Sequence, residues 1–282
     1  MSAPGTLFVV ATPLGNRGDF SSRAGDTLAH VDLIAAEDTR RTRLLLDRHG
    51  IRKPLTSYHD AVERSRAPAI VERLRAGESV ALVSDAGTPG IADPGYHLVR
   101  GALEAGIAVV PVPGPSAVAA LVAVAGLPAD RFVFEGFLPS HAGRRTARLL
   151  TMATEPRALV FYESPRRLLA MLADVEKALG DREVVVAREL TKLHEEIVRG
   201  RVSAVRERLR RRDEVKGEVT VLVAGAPETP PAVAPADLDA AIRAARAAGR
   251  SVRELSVEVA RATGVPRRVV YRRALELTKD GA

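Results

Sequence analysis

Three loops rich in glycine, proline and aspartate are the strongest candidates for chemistry in this 282-residue chain, and we call them the punctuated loops. Ser84–Gly95 (SDAGTPGIADPG) holds three glycines, two prolines and two aspartates, and Ala11–Asp19 (ATPLGNRGD) and Val112–Ala117 (VPGPSA) have related compositions. Glycine permits positive φ angles and close approach of a ligand to the main chain, whereas proline fixes φ and removes a donor. The loops therefore predict one shared small-molecule site, with tight turns as the simpler alternative.

The residue types in these loops restrict the ligand. The chain has neither the GxxxxGK[ST] pattern of a P-loop nor the GxGxxG fingerprint of a dinucleotide site. Asp19, Asp85 and Asp93 would repel a diphosphate, whereas carboxylates suit a ligand that carries ribose hydroxyls or a positive charge. S-adenosylmethionine carries both, and it is the cofactor that we expect. Asp85 is the predicted polar contact of the second loop, whereas Asp93-Pro-Gly is predicted to start the next helix.

Alternating strands and helices must position these loops. Continuous runs of valine and isoleucine are typical of strands covered on both faces, and amphipathic stretches such as PRRLLAMLADVEKALG lie between them. This alternation predicts an α/β fold, in which ligands bind beyond the carboxyl ends of the strands. The predicted strands are Thr6–Thr12, Asp32–Glu37, Ser79–Ser84, Ile107–Val112, Arg131–Phe137, Arg157–Glu163, Glu183–Glu189 and Glu218–Gly225.

Changes in composition predict four segments. Residues 1–114 and 115–225 are expected to form two α/β lobes, and the proline-rich residues 226–236 a semi-rigid linker. Residues 237–282 read as a helical module with the spacing of a helix-turn-helix, VEVARATG followed by a turn at Gly264 and VPRRVVYRRAL.

Composition narrows the class of protein further. The absence of cysteine excludes disulfides and thiolate metal sites, and the six histidines form no HExxH pair, so no metal site is expected. No apolar run reaches the roughly 20 residues that cross a bilayer, and the first residues lack a secretory signal pattern, so we expect a cytoplasmic protein. A net charge of +7 favours polyanionic partners.

Several sequence blocks together resemble one family. TPLGN, EDTR, SDAGTP and ARELTK, with FEGFLP and FYESPRRL, are similar to blocks of the tetrapyrrole-methylase-type (class III) methyltransferases, and the resemblance spans residues 5–282. Within that family they resemble enzymes that methylate the ribose 2′-oxygen of a cytidine in the decoding region of 16S rRNA. The resemblance implies a homodimer with S-adenosylmethionine between two α/β lobes and the small ribosomal subunit as partner.

The resemblance also implies contacts to the cofactor from both lobes. The first lobe would supply its three punctuated loops, partly through main chain, and the second lobe would close the site. The residues carried over are Pro13, Leu14, Gly15, Asp85, Gly87, Thr88, Ile91, Ser116, Ala117, Tyr162, Ala187, Arg188, Glu189 and Leu190.

Methyl transfer to a ribose needs alignment of the hydroxyl and an acceptor for its proton. The candidate catalytic residues are Glu37, Asp38, Lys192 and His194, each near a predicted strand end, with Glu163 and Glu189 as further carboxylates. Helix capping is the alternative for Glu37 and Asp38, and a structural role is the alternative for His194.

Arginines are the candidates for RNA contact, with solvated helix faces as the alternative. Arg166 and Arg167 are predicted in the first turn of a helix, where positive charge opposes the dipole, and HAGRR (His141–Arg145) is predicted as a mobile basic loop. Aromatic residues make up only 4% of the chain, so base stacking is not expected to be the main grip. The predicted RNA contacts are Arg40, Arg41, Arg43, Arg144, Arg145, Arg166, Arg167, Arg267, Arg268, Arg272 and Arg273.

Two other functions remain open at this point. A methyltransferase of the same fold could act on a tetrapyrrole or another small molecule, but the basic tail and arginine-rich helices favour RNA. A DNA-binding regulator with a ligand-sensing α/β part would also explain the tail. The tail itself could be a three-helix docking module.

Overall fold

A computed structural model describes residues 3–212, 216–227 and 235–279 of the protein. The chain divides into two compact units, Met1–Gly225 and Ala226–Ala282. The first unit contains two five-stranded sheets, and the described part of the second unit is helical. Within the described ranges, no helix is long and apolar enough to span a membrane. Residues 228–234, the centre of the predicted linker, lie outside the described residues.

The first sheet is wholly parallel, with strand order β3-β2-β4-β1-β5. Its central strands are buried on both faces. In β2, Leu33 and Ala35 belong to one core while Ile34 and Ala36 belong to the other, because successive side chains point to opposite faces. The elements are β1 Thr6–Val10, α1 Ser22–His30, β2 Leu33–Ala36, α2 Thr39–Arg48, β3 Leu55–Ser57, α3 Asp60–Arg75, β4 Val80–Val83, α4 Tyr96–Glu104 and β5 Ala108–Val112.

The second sheet is mixed, with order β6-β7-β10-β8-β9. Strands β6 and β7 are parallel, and the other neighbours are antiparallel. One of its cores also includes Leu14 from the first lobe, so the two lobes pack directly on each other. The elements are α5 Ala117–Val124, β6 Phe132–Phe137, α6 Ala142–Leu150, β7 Ala158–Glu163, α7 Pro165–Leu179, β8 Glu183–Arg188, β9 Glu196–Arg201, α8 Val202–Arg210 and β10 Val219–Val223.

The predicted α/β class is confirmed, and all eight predicted strands are present with ends displaced by no more than two residues. Two strands were not predicted. Strand β3 has only three residues, and β9 is an edge strand with three charged residues and a glycine among its six, so neither shows a strong apolar pattern.

The second unit is a three-helix cluster around Leu238, Leu255 and Val270. Its helices are α9 Pro235–Ala247, α10 Val252–Thr263 and α11 Arg267–Lys279. A capping box between Ser251 and Glu254 starts α10. The predicted turn at Gly264 is present, because Gly264 ends α10 in the left-handed conformation (φ +70°).

Candidate functional site

The three punctuated loops meet at the carboxyl ends of β1, β4 and β5, as the sequence predicts. Thr12 and Gly87 exchange main-chain hydrogen bonds of 2.8 and 3.0 Å. The Thr88 hydroxyl donates to the Pro115 carbonyl at 3.1 Å and so joins the second loop to the third. Gly87 has a φ of +87°, which favours glycine over any residue with a side chain.

A cavity of about 360 Å³ lies where these loops face the second lobe. The first lobe contributes carboxylates and small or apolar side chains, and the second contributes aromatic and polar ones. The lining residues are Leu14, Glu37, Arg41, Asp85, Ala86, Gly87, Thr88, Ile91, Asp93, Ser116, Ala117, Phe137, Tyr162, Glu163, Ser164, Pro165, Gly217, Glu218, Val219 and Thr220.

Glu37 and Asp85 form the centre of an acidic wall. The Asp85 amide donates to Glu37 Oε2 at 3.1 Å, and the Asp38 amide donates to Asp85 Oδ1 at 3.0 Å. Arg41 Nη1 lies 3.2 Å from Asp85 Oδ2. Burial raises the pKa of both Glu37 and Asp85 above the ordinary range. Main-chain amides therefore fix two carboxylates whose oxygens face the cavity.

Asp93 also lies on the acidic wall, although the sequence analysis placed it at a helix start rather than in the site. The helix begins only at Tyr96, after Gly95, and Asp93 lines the cavity. Burial, followed by the nearby negative charge of Glu37, raises the pKa of Asp93 to about 7. The preceding Ala92 has a φ of +61°, an uncommon conformation for a residue with a Cβ.

Aromatic side chains form much of the opposite side of the cavity, which the second lobe contributes. The Tyr162 ring centroid lies 5.0 Å from that of Phe134 and 5.6 Å from that of Phe137, both edge to face. Burial, followed by the charge of Asp93, raises the pKa of Tyr162 to about 12. The phenol is therefore neutral at physiological pH.

The Glu163 carboxylate is completely buried beside these rings and faces Arg167. Arg167 Nη2 lies 3.1 Å from Glu163 Oε2, but Oε2 accepts no well-aligned hydrogen bond within the described residues, so the contact is chiefly electrostatic. The same nitrogen donates to the carbonyls of Leu138 and Pro139 at 2.7 and 3.3 Å. Arg167, expected to face phosphate, instead fixes the end of β6. Its neighbour Arg166 is exposed.

The structure brings most of the expected cofactor contacts to the cavity. Residues 187–190, Pro13 and Gly15 do not line it, because the β8 end and the first loop instead hold the two lobes together. The Asn16 amide donates to Thr191 Oγ1 at 3.1 Å. The lining residues among those expected are Leu14, Asp85, Gly87, Thr88, Ile91, Ser116, Ala117 and Tyr162.

Of the four expected catalytic residues, only Glu37 lines the cavity. Asp38 caps α2 and pairs with Arg40 at 3.0 Å, and that hydrogen bond lowers the pKa of Asp38 to about 2. Lys192 packs against Gly15, where a Cβ atom would stand 2.2 Å from its Cγ. Burial disfavours the Lys192 charge, but hydrogen bonds to Glu189 and Glu218 outweigh it and raise its pKa. His194 is exposed.

The arginines expected to bind RNA differ in their surroundings. Arg145 is buried and donates to Asp174 at 2.7 Å, because HAGRR begins helix α6 instead of forming a mobile loop. In the second unit, Arg273 joins α11 to α9 through Asp239. Arg40 and Arg41 pair with Asp38 and Asp85, and Arg43 is half-buried. Among the predicted RNA contacts, five arginines are exposed and make no salt bridge to another described residue: Arg144, Arg166, Arg267, Arg268 and Arg272.

Several lining residues escaped the sequence analysis. Phe137, Asp93, Gly217 and Thr220 were not proposed as contacts, and Glu163 was considered only as a carboxylate near a strand end. Gly217 offered one signal in the sequence, a glycine directly before the predicted strand Glu218–Gly225. The structure explains that glycine, because its φ is +87° and a Cβ there would lie 2.2 Å from Glu189 Oε1. Phe137 offered none beyond its place at the end of FEGF.

Comparisons with known proteins identify the relatives of this chain. Residues 6–206 match the family model of the Tetrapyrrole (Corrin/Porphyrin) Methylases. The ribosomal RNA small subunit methyltransferase I of Mesorhizobium japonicum is 45% identical over 96% of this chain and 92% of its own length. The protein of the same name from Synechocystis is also 45% identical, over 98% of this chain and all of its own.

Solved structures share the fold at lower identity. The methyltransferase CobJ aligns with a TM-score of 0.61 and 22% identity over 79% of this chain and 95% of its own. A uroporphyrin-III C-methyl transferase from Thermus thermophilus, complexed with S-adenosyl homocysteine, aligns with a TM-score of 0.54 and 20% identity over 77% of this chain and 97% of its own. These two likenesses concern the fold alone.

Proposed function

Because this chain belongs to the tetrapyrrole methylase family, and within it to the ribosomal RNA small subunit methyltransferases I, we propose that it methylates the ribose 2′-hydroxyl of a cytidine in the decoding region of 16S rRNA. It is an S-adenosylmethionine-dependent methyltransferase that acts on small-subunit ribosomal RNA. The proposal extends this activity in three respects: the 2′-oxygen as acceptor atom, a cytidine as the nucleotide and the decoding region as its place in the RNA. The observation that carries the proposal is the acid-walled cavity formed by three converging loops in a chain with these relatives.

The residues of the cavity fit the cofactor. Glu37, Asp85 and Asp93 provide negative charge and acceptors for a sulfonium and for ribose hydroxyls. Leu14 and Ile91 provide apolar surface for a purine ring, and main chain at the glycine-rich loops is accessible where side chains are absent. When bound, S-adenosylmethionine supplies a methyl group that its positive sulfur has already activated.

The protein then has to align the acceptor oxygen and exclude water. We assign the proton of the ribose hydroxyl to Glu37, because its carboxylate lines the cavity and burial raises its pKa, which makes it a better base. Glu37 would accept the hydroxyl proton while the oxygen takes the methyl carbon and the carbon–sulfur bond breaks. Lys192 retains its proton and helps to hold the lobes together instead of acting as a base.

We propose exposed arginines as the contacts to RNA phosphates. Arg144 and Arg166 lie on the second lobe of the first unit, and Arg267, Arg268 and Arg272 lie on α11 of the helical unit. Such contacts position the RNA without reading its bases. A homodimer working in the cytoplasm on small subunits is part of the same proposal, and light scattering on the purified chain tests the dimer.

Substrate choice tests the proposed function. The full chain is incubated with methyl-labelled S-adenosylmethionine and, in parallel, small ribosomal subunits lacking the modification, naked 16S rRNA and a uroporphyrinogen. We expect label in an RNA substrate and none in the tetrapyrrole. Label in the tetrapyrrole, or no label in either RNA substrate, would contradict the proposal.

A further inference from the structure

Phe137 is an aromatic side chain that the fold leaves in solvent at the cavity. It lines the cavity and yet remains 57% exposed. Exposure of a large apolar ring normally costs free energy that burial would recover, about 25 cal/mol per Å² of apolar surface. Single exposed apolar side chains are common on protein surfaces, but Phe137 also lines a ligand cavity, where an open aromatic face is available to an apolar or π-bearing group of the ligand.

The backbone aims this ring at the cavity. The register between β6 and β7 shifts between Phe134 and Gly136, and Gly136 has a φ of +64°, so β6 carries an irregularity of the bulge type just before Phe137. Bulges redirect side chains and occur next to active sites. The residue after Phe137 is held in turn, because Arg167 donates to the Leu138 carbonyl at 2.7 Å.

Packing holds the ring on one side only. The edge-to-face contact with Tyr162 at 5.6 Å fixes one edge of Phe137, and Tyr162 is itself packed against Phe134. The three rings extend from the partly buried strand to the cavity, and only the last of them is mostly exposed. A rigid ring fixed at one edge and open elsewhere is suited to stacking, which orders the partner without further loss of side-chain entropy.

We propose that Phe137 stacks on the base of the acceptor nucleotide and so places its ribose at the acidic wall. The inference rests on the proposed function, because only a nucleic-acid acceptor brings a base. A 2′-hydroxyl cannot enter a 360 Å³ cavity while its nucleotide remains stacked in an RNA helix, so the nucleotide must turn out, and stacking on an aromatic side chain replaces the neighbours that it loses. Of the aromatic side chains, Phe137 and Tyr162 line the cavity, and Phe137 is the one that presents an open face to a base.

The test compares four variants of the full chain. Phe137→Ala and Phe137→Leu remove the π face, Phe137→Trp keeps it, and Phe132→Ala is the matched control from the start of the same strand, outside the cavity lining. Methylation of small subunits gives kcat and KM, calorimetry gives the Kd for S-adenosylmethionine, and thermal unfolding gives Tm.

We expect Phe137→Ala and Phe137→Leu to lower kcat/KM for the subunit by about 5- to 150-fold, which corresponds to roughly 1–3 kcal/mol per stacked base at 1.4 kcal/mol per tenfold change. The Kd for the cofactor and the Tm should stay within the range of the Phe132→Ala control, and Phe137→Trp should retain activity within about threefold.

Three results would overturn the inference. Wild-type activity of Phe137→Leu would show that an apolar contact suffices, and an unchanged kcat/KM of Phe137→Ala would show no contact with the acceptor. A cofactor Kd weakened in step with activity would place the ring against S-adenosylmethionine instead. Failure of the proposed function would be distinct, because the wild-type chain itself would then leave the subunit unlabelled.

Discussion

The two walls of the cavity are built by different means. On the first-lobe wall, carboxylates end parallel strands and are held by main-chain amides, as in the bonds from the Asp85 amide to Glu37 and from the Asp38 amide to Asp85. On the second-lobe wall, the rings of Phe137 and Tyr162 lie at the ends of β6 and β7, and Arg167 holds the residues beside them, since it binds both the Leu138 carbonyl and the buried Glu163. The first wall presents carboxylates, and the second presents aromatic rings beside polar groups such as Glu218 and Thr220.

From this difference we propose that the cofactor and the acceptor nucleotide bind to different walls. A sulfonium and ribose hydroxyls are recognised by carboxylates, whose buried positions favour pairing with a cation. A nucleotide base is recognised by an aromatic face. The comparison therefore predicts that changes on the first wall act mainly on cofactor binding, and that changes on the second act on the acceptor or on the stability of that lobe.

The largest expected effect comes from Arg167→Ala on the second wall. It would leave the Glu163 carboxylate buried without its partner and release the Leu138 carbonyl. We expect a loss of about 2–3 kcal/mol in the free energy of unfolding, at the low end for a broken buried pair because Arg167 is partly exposed. Denaturant unfolding measures it.

Arg166→Ala is the matched control for Arg167→Ala. Arg166 is the exposed neighbour on the same helix, and its removal should change the free energy of unfolding by no more than about 0.5 kcal/mol. Equal stability of the two variants would show that Arg167 does not hold the second wall. The proposed difference in how the two walls are held would then be wrong.

Asp85→Ala tests the first wall. Asp85 accepts the Asp38 amide, pairs with Arg41 and lines the cavity, so its loss removes one charged acceptor from the cofactor site. We expect the Kd for S-adenosylmethionine to rise about 10- to 100-fold, as for a hydrogen bond to a charged group. Asp47→Ala, an exposed carboxylate on α2, is the control in calorimetry. An unchanged Kd for Asp85→Ala would show that Asp85 of the acidic wall does not contact the cofactor.

Asp93→Asn should produce the smallest effect, which is confined to the pH dependence of stability. The pKa of Asp93 is about 7 in the folded chain and near 4 in the unfolded chain, so the folded state binds more protons between these values. Stability of the cofactor-free wild type must therefore fall as pH rises from about 4 to about 7.

Asparagine does not titrate, so the stability of the variant should not show this fall with rising pH. Between pH 5 and pH 8, the free energy of unfolding of the wild type should fall by on the order of 1 kcal/mol more than that of the variant. This is less than the full linkage value because solvent screens the Asp93 charge. Thermal unfolding at the two pH values measures it. Parallel curves for wild type and variant would show that Asp93 titrates normally.

The first wall was largely predictable from the sequence, and the second was not. Punctuated loops at strand ends signal a first-lobe site, because parallel strands bring their carboxyl ends to one edge. Asp93 was nevertheless assigned to a helix start, since the Asp-Pro-Gly pattern is local while the burial of Asp93 and its proximity to Glu37 are set by the tertiary fold.

On the second wall the chemistry depends on contacts between distant segments. Arg166 and Arg167 are adjacent and of one type, yet one is exposed and the other binds carbonyls 28 and 29 residues away. Arg145 likewise faces Asp174. Helix phase decides which arginine turns inward, and a run of basic residues does not record that phase. Phe137 was missed because the aromatic content was judged for the whole chain instead of at the site.

The central claim is that the two walls bring a ribose hydroxyl to an activated methyl group. Its most direct test is to methylate unmodified small subunits with labelled S-adenosylmethionine, map the labelled nucleotide and treat the RNA with alkali. We expect one label per subunit, on a cytidine of the decoding region, with an alkali-resistant bond on its 3′ side because a methylated 2′-oxygen cannot attack the phosphate. An alkali-labile bond at the labelled nucleotide would place the methyl group on the base and contradict the account.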